Sequence, residues 1–157
     1  MAINYTQWLN EIDKSNSKYE SLFAGGKAKP PIFFFGNPDG AIAATIGVNP
    51  SATEFEPTRR WTYEYFKPNP LMLRCSNYFG NPVGVQPHEW FETWKTFLKT
   101  LGCSYDKTPR AIHLDFSPRA TLSMSTLQKQ SKDSETLFLE LICDGLKYFT
   151  EQIRAYP

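Results

Sequence analysis

The stretch that decides how this chain folds is Ala41-Ile42-Ala43-Ala44-Thr45-Ile46-Gly47-Val48-Asn49-Pro50-Ser51. Its first part, Ala41–Val48, carries no charge and is apolar at nearly every position, a pattern typical of a central strand with both faces covered. Asn49 and Pro50 then stop the strand. Because strands of this kind occur mainly in α/β sheets, we expect an α/β domain with a sharp turn at the carboxyl end of the strand.

The residues before this strand predict a helix and a hairpin. Apolar residues recur at helical spacing in the opening segment, at Tyr5, Trp8, Leu9 and Ile12. This amphipathic helix should end near Gly25-Gly26. Ile32–Phe35 is a short β-prone run and Asn37–Gly40 supplies turn residues, so we expect a hairpin or near-hairpin with the strand that follows.

The residues after the strand predict an irregular segment and then a clear helix. Five prolines interrupt residues 52–87, where we expect short helical turns at Thr58–Phe66 and Pro70–Tyr78. Apolar residues three and four apart then indicate a helix that begins after Pro87 and ends before Gly102. We expect the apolar stripe of this helix to pack on the sheet.

The last third of the chain predicts one more strand and a final helix. The strand covers Ala111–Phe116 and is followed by a loop to about Ser134. Asp133 or Ser134 is the expected N-cap of the helix. Its expected buried face is formed by Leu137, Phe138, Leu141, Ile142, Leu146, Phe149 and Ile153.

This order of elements favours a three-layer α/β/α architecture with a mainly parallel central sheet. At 157 residues the chain fits a single domain over residues 1–157, or the N-terminal part of a longer domain. Ligands of such sheets bind outside the carboxyl ends of the strands. The turns after Val48 and Phe116 are therefore the candidate sites.

Composition favours a cytoplasmic protein with neither a metal nor a cofactor. The three cysteines lie far apart without a Cys-x-x-Cys pair, so we expect buried thiols in a reducing compartment. No stretch approaches the roughly 18 apolar residues that a membrane span needs. The sequence leaves the oligomeric state open.

Net charge argues against a generic binder of polyanions, because it is only +1. Residues 107–132 nevertheless carry a local charge of +4, from Lys107, Arg110, Arg119, Lys129 and Lys132 against Asp115. An ordinary solvated face and a phosphate-facing one both remain open for this segment.

The turn itself carries residue types that suit recognition. Gly47 lets a ligand approach the backbone, Asn49 can donate and accept hydrogen bonds at once, and Pro50 fixes the geometry. The same residues could instead end a strand and begin a helix, with Ser51 or Thr53 as the N-cap. The spacing alone does not separate these two interpretations.

Gly47-Val48-Asn49-Pro50-Ser51 at a strand end resembles the first signature of the uracil-DNA glycosylase superfamily. Ile112–Asp115 followed by Arg119-Ala120-Thr121 resembles the strand that supplies the family's base-reading side chain. The resemblance implies that Asn49 positions the water that attacks the sugar, that the backbone from Val48 to Ser51 lines the pocket, and that Asp115 reads the base. An aromatic side chain would stack on the flipped base, from among Tyr63, Tyr65 and Phe66.

The chain departs from the family in two respects. Asp115 stands where most members carry asparagine, and an ionised carboxylate cannot donate a hydrogen bond to a pyrimidine. The family's later His-Pro-Ser-like loop has no counterpart, which motivates a binding module without catalysis as the alternative. A protein-interaction domain on the same fold, using the aromatic residues 61–66, is a third interpretation.

A closer likeness joins this chain to uncharacterised bacterial and phage relatives, through Asn49–Ala52, Pro57–Arg60 and Arg119–Thr121. Within it, Arg59 and Arg60 could grip a phosphate, and Arg119 could also contact a nucleic acid. Single-stranded or mismatched DNA is the partner that the resemblance to the glycosylase superfamily implies.

His113 and Asp115 share a face of the predicted strand, because side chains alternate along it. If that face meets the turn, Asn49, His113 and Asp115 would form an acid–base site; otherwise His113 is a core residue. We place His88 at the start of a helix, outside the site. The functional hypothesis is a glycosylase-like protein that binds a flipped base and hydrolyses its N-glycosidic bond.

Overall fold

The computed structural model describes residues 3–57, 59, 70–80 and 86–156. These residues form a mixed α/β structure with five α-helices and a small parallel sheet of two strands. In chain order the helices and strands are α1 (Tyr5–Ser15), β1 (Ala41–Gly47), α2 (Leu71–Ser76), α3 (Trp90–Thr100), β2 (Arg110–Asp115), α4 (Met124–Gln130) and α5 (Asp133–Ala155). Short 3-10 helices cover Asn16–Leu22, Ala24–Gly26 and Ala52–Phe55. The α/β class is thus confirmed.

The chain groups into two compact units. Unit 1 comprises Met1–Ile32, Val48–Ala52 and Asp115–Pro157, and unit 2 comprises Phe33–Gly47 and Thr53–Leu114. The turn after β1 therefore belongs to unit 1, whereas β1 itself belongs to unit 2.

The opening helix is confirmed. The Asn4 side chain caps α1 by accepting a hydrogen bond from the Gln7 backbone N–H at 3.1 Å. Trp8 and Ile12 supply the buried face, and 3-10 turns continue to Gly26. The predicted end near Gly25-Gly26 is wrong for the α-helix, which ends at Ser15, and the 3-10 turns after it are interrupted at Phe23, whose backbone is extended. Gly25 and Gly26 both have a φ of +66°, where the last of these turns ends.

The predicted hairpin is wrong. Phe35 and His113 exchange both backbone hydrogen bonds at 2.9 Å in an isolated antiparallel bridge. In a strand, the N–H and C=O of one residue point to the same edge, so β1 must pair with β2 along the opposite edge. The turn at Asn37–Gly40 forms, but it carries the chain from one edge of β2 to the other.

The prediction that β1 is covered on both faces is also wrong. Thr45 is buried, whereas Ile42 is 66% exposed and Ile46 is 45% exposed. Because side chains alternate along a strand, one face of β1 is packed and the other is open. Its apolar composition therefore does not indicate burial on two sides.

Three predicted elements of unit 2 are confirmed. The observed α2, α3 and β2 match the helical turn at Pro70–Tyr78, the helix after Pro87 and the strand at Ala111–Phe116. The expected burial of the whole apolar stripe of α3 is wrong, because Phe91 and Leu98 are buried whereas Phe97 and Leu101 are each 54% exposed. Gly102, with a φ of +73°, follows the end of α3. The helical turn expected around Thr58–Phe66 falls on residues that lie, except for Arg59, outside the described ranges.

The segment expected to be a loop before Ser134 contains α4. Ser123 caps this helix by accepting from the Thr126 N–H at 3.3 Å, and Leu127 anchors it in the core of unit 1. The expected N-cap of α5 also shifts, because Lys132 holds the cap position and Ser131 Oγ accepts from the Asp133 N–H at 3.0 Å.

The buried face of α5 is rotated from the predicted one. Leu146 and Ile153 are exposed, and the buried positions are Ser134, Phe138, Leu141, Gly145, Tyr148 and Gln152. A Cβ at Gly145 would lie 2.5 Å from the Phe116 carbonyl oxygen and from the Ser117 Cα, so glycine permits the helix to touch the chain after β2. Cys143 is exposed, which corrects the prediction of three buried thiols, while Cys75 and Cys103 are buried as predicted.

Across the described residues, no helix combines the length and the apolar character that crossing a membrane requires.

Candidate functional site

The turn after β1 is held by the chain that follows β2. The Ser117 N–H donates to the Val48 carbonyl at 3.1 Å, and the Ala52 N–H donates to the Thr121 carbonyl at 2.9 Å. Ser51 forms a parallel bridge with Thr121, whose N–H lies 3.3 Å from the Pro50 carbonyl oxygen. These contacts fix the turn at both ends within unit 1.

The Asn49 side chain is tied to the same segment through its amide nitrogen. Nδ2 donates to the carbonyl oxygens of Pro50 at 3.0 Å and Arg119 at 3.1 Å, and lies 2.9 Å from Thr121 Oγ1. Two of these partners can only accept, so they determine which end of the amide is nitrogen. The Asn49 Oδ1 atom makes no hydrogen bond to the described part of the chain.

The Arg119 side chain points toward the end of α1. Nε donates to Asn16 Oδ1 at 3.1 Å, and Nη2 contacts Ser15 Oγ and, at 3.5 Å, the Ile12 carbonyl oxygen. The guanidinium carbon lies 5.2 Å from the centre of the Tyr19 ring, a cation–π geometry. These bonds anchor the residue whose carbonyl holds the Asn49 amide.

Arg119 is only 3% exposed, and its buried Nη1 atom has no hydrogen-bond partner among the described residues. Burial lowers the pKa of its guanidinium, because removal from water disfavours the charged form. The predicted contact of Arg119 with a nucleic acid stays a prediction, but the side chain is already engaged by α1.

Asp115 ends β2 and is buried. Its assignment to unit 1 places it in the same unit as Asn49. Its predicted role in reading a base stays a prediction.

No protein-family model, curated protein or solved structure matches this chain. The site therefore rests on its own geometry and on the residue pattern of the turn.

His113 lies in the aromatic core of unit 2. Its ring centre is 4.7 Å from that of Trp90, 5.3 Å from that of Phe91 and 5.5 Å from that of Phe35. Its Nδ1 lies 2.9 Å from Thr45 Oγ1. Of the two interpretations that the sequence left open for His113, these contacts support the core residue.

Thr45 joins His113 to a second buried polar group. Its Oγ1 lies 2.7 Å from the Tyr105 hydroxyl, and burial raises the pKa of that phenol to about 12. The hydrogen-bond network of Tyr105, Thr45 and His113 gives buried polar atoms partners inside an apolar environment, which is a structural role.

His88 sits at the start of α3, as predicted. Its Nδ1 accepts a hydrogen bond from the Trp90 N–H at 3.1 Å. Burial, and then the positive charge of Arg59, lower the pKa of the imidazole. His88 thus acts on the first turn of the helix in its neutral form.

A buried carboxylate of unit 2 was missed by sequence reasoning. Glu54 is buried and accepts from the Tyr78 hydroxyl at 2.7 Å, and the same hydroxyl accepts from the His88 N–H at 3.3 Å. Glu54 lies in an exposed-looking polar stretch, so nothing in its spacing marks it as buried.

Some of the remaining predicted site residues are described by the structure and others are not. Gly47 ends β1, the Val48 side chain is about half exposed and Pro50 is buried. Arg59 is partly buried in unit 2. The predictions for Arg60, Tyr63, Tyr65 and Phe66 lie outside the described residues.

An open cavity of about 640 Å³ lies in unit 1, away from the predicted residues. It is lined by Ser21, Gln130, Ser131, Asp133, Ser134, Thr136, Leu137 and Glu140. Among the residues that the structure describes, no cluster of three or more histidine, cysteine or acidic side chains could hold a metal ion.

Proposed function

We propose that this chain is a base-binding protein of uracil-DNA glycosylase type, in which Asn49 Oδ1 orients the attacking water. The observation that carries the proposal is the polarity of the Asn49 amide. Its nitrogen is held by Pro50, Arg119 and Thr121, so the oxygen is the end of the amide that is left for a ligand. The resemblance of Gly47–Ser51 to the family's signature, and the three-layer fold it implies, belong to the same proposal.

An acceptor oxygen at this position suits hydrolysis of an N-glycosidic bond. The oxygen of a water molecule forms a bond with the sugar C1′, and the bond from C1′ to the base nitrogen breaks with its electron pair leaving on the base. A carbonyl-type oxygen can accept a hydrogen bond from that water and aim its lone pair, without removing the proton itself. The proton passes to solvent or to the departing base.

Rigidity is the second argument for this role. Three contacts on one amide nitrogen restrict rotation of the Asn49 side chain, so its oxygen is fixed before a substrate arrives. Preorganised polar groups contribute most to catalysis when they need not reorient during the reaction. Arg119 and Thr121 would act as positioning residues, since each contacts the Asn49 amide nitrogen.

Excision of uracil or a deaminated purine from single-stranded and mismatched oligonucleotides tests the proposal. Asn49→Ala should lower the single-turnover rate by about a hundredfold, the scale expected when a reacting group loses its alignment. Asn10→Ala is the matched control, because Asn10 is an exposed asparagine on α1 and should leave the rate unchanged. Lack of excision by the wild-type chain, or equal rates for both variants, would contradict catalysis at Asn49.

A nucleotide-binding module without catalysis is the second candidate. The observation that favours it is that the bonds of Asn49 Nδ2 also explain the residue as a structural tie between the turn and Arg119–Thr121. In that case oligonucleotides bind with an affinity that falls as salt rises, and no base is released. Binding indifferent to salt would argue against both candidates.

A further inference from the structure

The exposed side of α5 carries an apolar seam that packing within the described part of the chain does not use. Leu139 is 58% exposed, Leu146 39% and Ile153 45%, at a spacing of seven residues. Exposed Cys143 and Thr150 lie between them, so the spacing alternates four, three, four and three. This is the a/d pattern by which two helices pack along a common seam. We name these five residues the α5 seam.

The α5 seam is separate from the face that holds α5 on unit 1. The buried side of the helix carries Phe138, Leu141, Gly145 and Tyr148. A helix of 23 residues with apolar side chains on two faces has a second packing surface. The α5 seam extends for about 21 Å along the helix axis at 1.5 Å per residue.

The charges beside the α5 seam identify its occupant. One flank carries exposed residues seven apart, in the order Asp133, Glu140, Lys147 and Arg154. The amino-terminal half of this flank is thus acidic and the carboxyl-terminal half is basic. A second identical helix running in the opposite direction would meet it with Asp133 opposite Arg154 and Glu140 opposite Lys147, so every pair is attractive.

A parallel arrangement has no such match. In a parallel pair, a residue on one flank of the α5 seam contacts the residue five positions later on the opposite flank of the second helix. This contact brings exposed Glu135 beside Glu140 of the second copy. Like charges at this position disfavour the pairing. Charge therefore selects the antiparallel orientation.

We propose that a second copy of this chain packs antiparallel on the α5 seam to form a symmetric dimer. The flanking groups are available for this, since Glu140 is 50% exposed in its ion pair with Lys18 and Lys147 is 55% exposed in its ion pair with Glu11. Cys143 and Thr150 are poorer core residues than leucine, and the α5 seam is short. The dimer is accordingly weak and concentration-dependent.

Sedimentation velocity over a wide range of protein concentration tests the dimer. The wild-type chain should pass from monomer to dimer as concentration rises, and Leu146→Asp should remain monomeric throughout. Leu73→Asp is the matched control, because Leu73 is an exposed helical leucine of unit 2 and should leave the transition in place. A wild-type monomer at every concentration, or a Leu146→Asp variant that still dimerises, overturns the proposal.

The orientation has its own test in a charge exchange. Glu140→Lys alone and Lys147→Glu alone should each shift dimerisation to higher concentration, because each homodimer then contains two repulsive pairs. An equimolar mixture of the two variants restores attraction at both pairs and should dimerise about as readily as wild type. In that mixture each variant still lacks one ion pair within its own chain, either Lys18–Glu140 or Lys147–Glu11. Recovery of dimerisation therefore reports only on contacts between chains. A mixture no better than either variant overturns the antiparallel arrangement.

Discussion

Asn49 and His113 are both partly or fully enclosed polar side chains, yet their surroundings differ in kind. The ring of His113 is packed among three aromatic rings and lies beside Thr45, which also contacts Tyr105. Among the residues that the structure describes, the partners of the Asn49 side chain bind its nitrogen alone, in a turn that backbone hydrogen bonds fix on both sides. The bonds of His113 serve packing in the core, whereas we propose that the fixed Oδ1 atom of Asn49 serves a ligand.

This comparison predicts that changes around His113 alter stability alone, whereas changes around Asn49 alter stability and ligand recognition together. Thr45→Val and Thr121→Val test it directly, and Gly145→Ala and His88→Asn test the packing around the two regions; the four follow from the largest expected effect to the smallest.

Gly145→Ala should have the largest effect. Its Cβ would lie 2.5 Å from backbone atoms of Phe116 and Ser117, and backbone cannot move aside cheaply. Overpacking of this kind should lower the free energy of unfolding by about 3 kcal/mol, measured by urea denaturation. Gly40→Ala is the control, since open space surrounds Gly40 and only its φ of +70° resists a side chain. Equal losses for the two variants would contradict close contact at Gly145.

Thr45→Val should remove the bridge between His113 and Tyr105 while preserving the shape of the side chain. Two buried polar groups lose a partner, so we expect a loss of about 2 kcal/mol in unfolding free energy and no change in oligonucleotide binding. Thr93→Val, on the exposed side of α3, should change stability by less than about 0.5 kcal/mol. Weaker oligonucleotide binding by Thr45→Val would contradict the prediction that changes around His113 alter stability alone.

Thr121→Val should have a smaller effect on stability and a measurable effect on recognition. It removes the contact at 2.9 Å from Asn49 Nδ2 and leaves the two carbonyl partners. We expect about 1 kcal/mol of lost stability, together with a lower rate of base excision because Asn49 is less rigidly held. Unchanged excision with the full loss of stability would assign Thr121 to the fold alone.

His88→Asn should have the smallest effect, visible only as a change in pH dependence. Because the pKa of His88 is lowered in the folded state, the unfolded chain binds more protons below the ordinary imidazole pKa of 6.5. The stability contributed by neutral His88 is complete above that pH and declines as pH falls toward the folded pKa. Asparagine can still accept from the Trp90 N–H but does not titrate, so stability curves of the two proteins should differ in slope below pH 6.5. Parallel curves would contradict the lowered pKa.

Local sequence patterns predicted those elements whose signals are local. The helical spacing of α1, the stripe and terminal Gly102 of α3 and the β-prone residues of β2 all gave the observed element. The α4 helix could have been found from Ser123 as its cap and Leu127 as its anchor.

Errors arose where a distant partner decides the structure. Phe35 pairs with His113, 78 positions further along the chain, and this pairing cannot be deduced from a short turn that is equally compatible with a hairpin. The face of α5 that is buried depends on Gly145, Gln152 and Ser134, whose composition does not indicate burial. Close backbone approach at Gly145 selects that face over the more apolar one.

The candidate site was predictable in its residues but not in their arrangement. The sequence placed Asn49 and the Arg119–Thr121 segment in one resemblance, and the structure brings them into direct contact. Which end of the Asn49 amide is engaged could not be read from residue types, because an asparagine offers both a donor and an acceptor.

Side-chain amide NMR of Asn49 tests the central claim most directly. The claim is that the nitrogen is structural and the oxygen serves the ligand. It predicts that the Asn49 side-chain protons exchange with water more slowly than those of exposed Asn10, and that a uracil-containing single strand shifts the Asn49 resonances while leaving those of Asn10 in place. Exchange as fast as that of Asn10, with no shift on addition of the oligonucleotide, would contradict it.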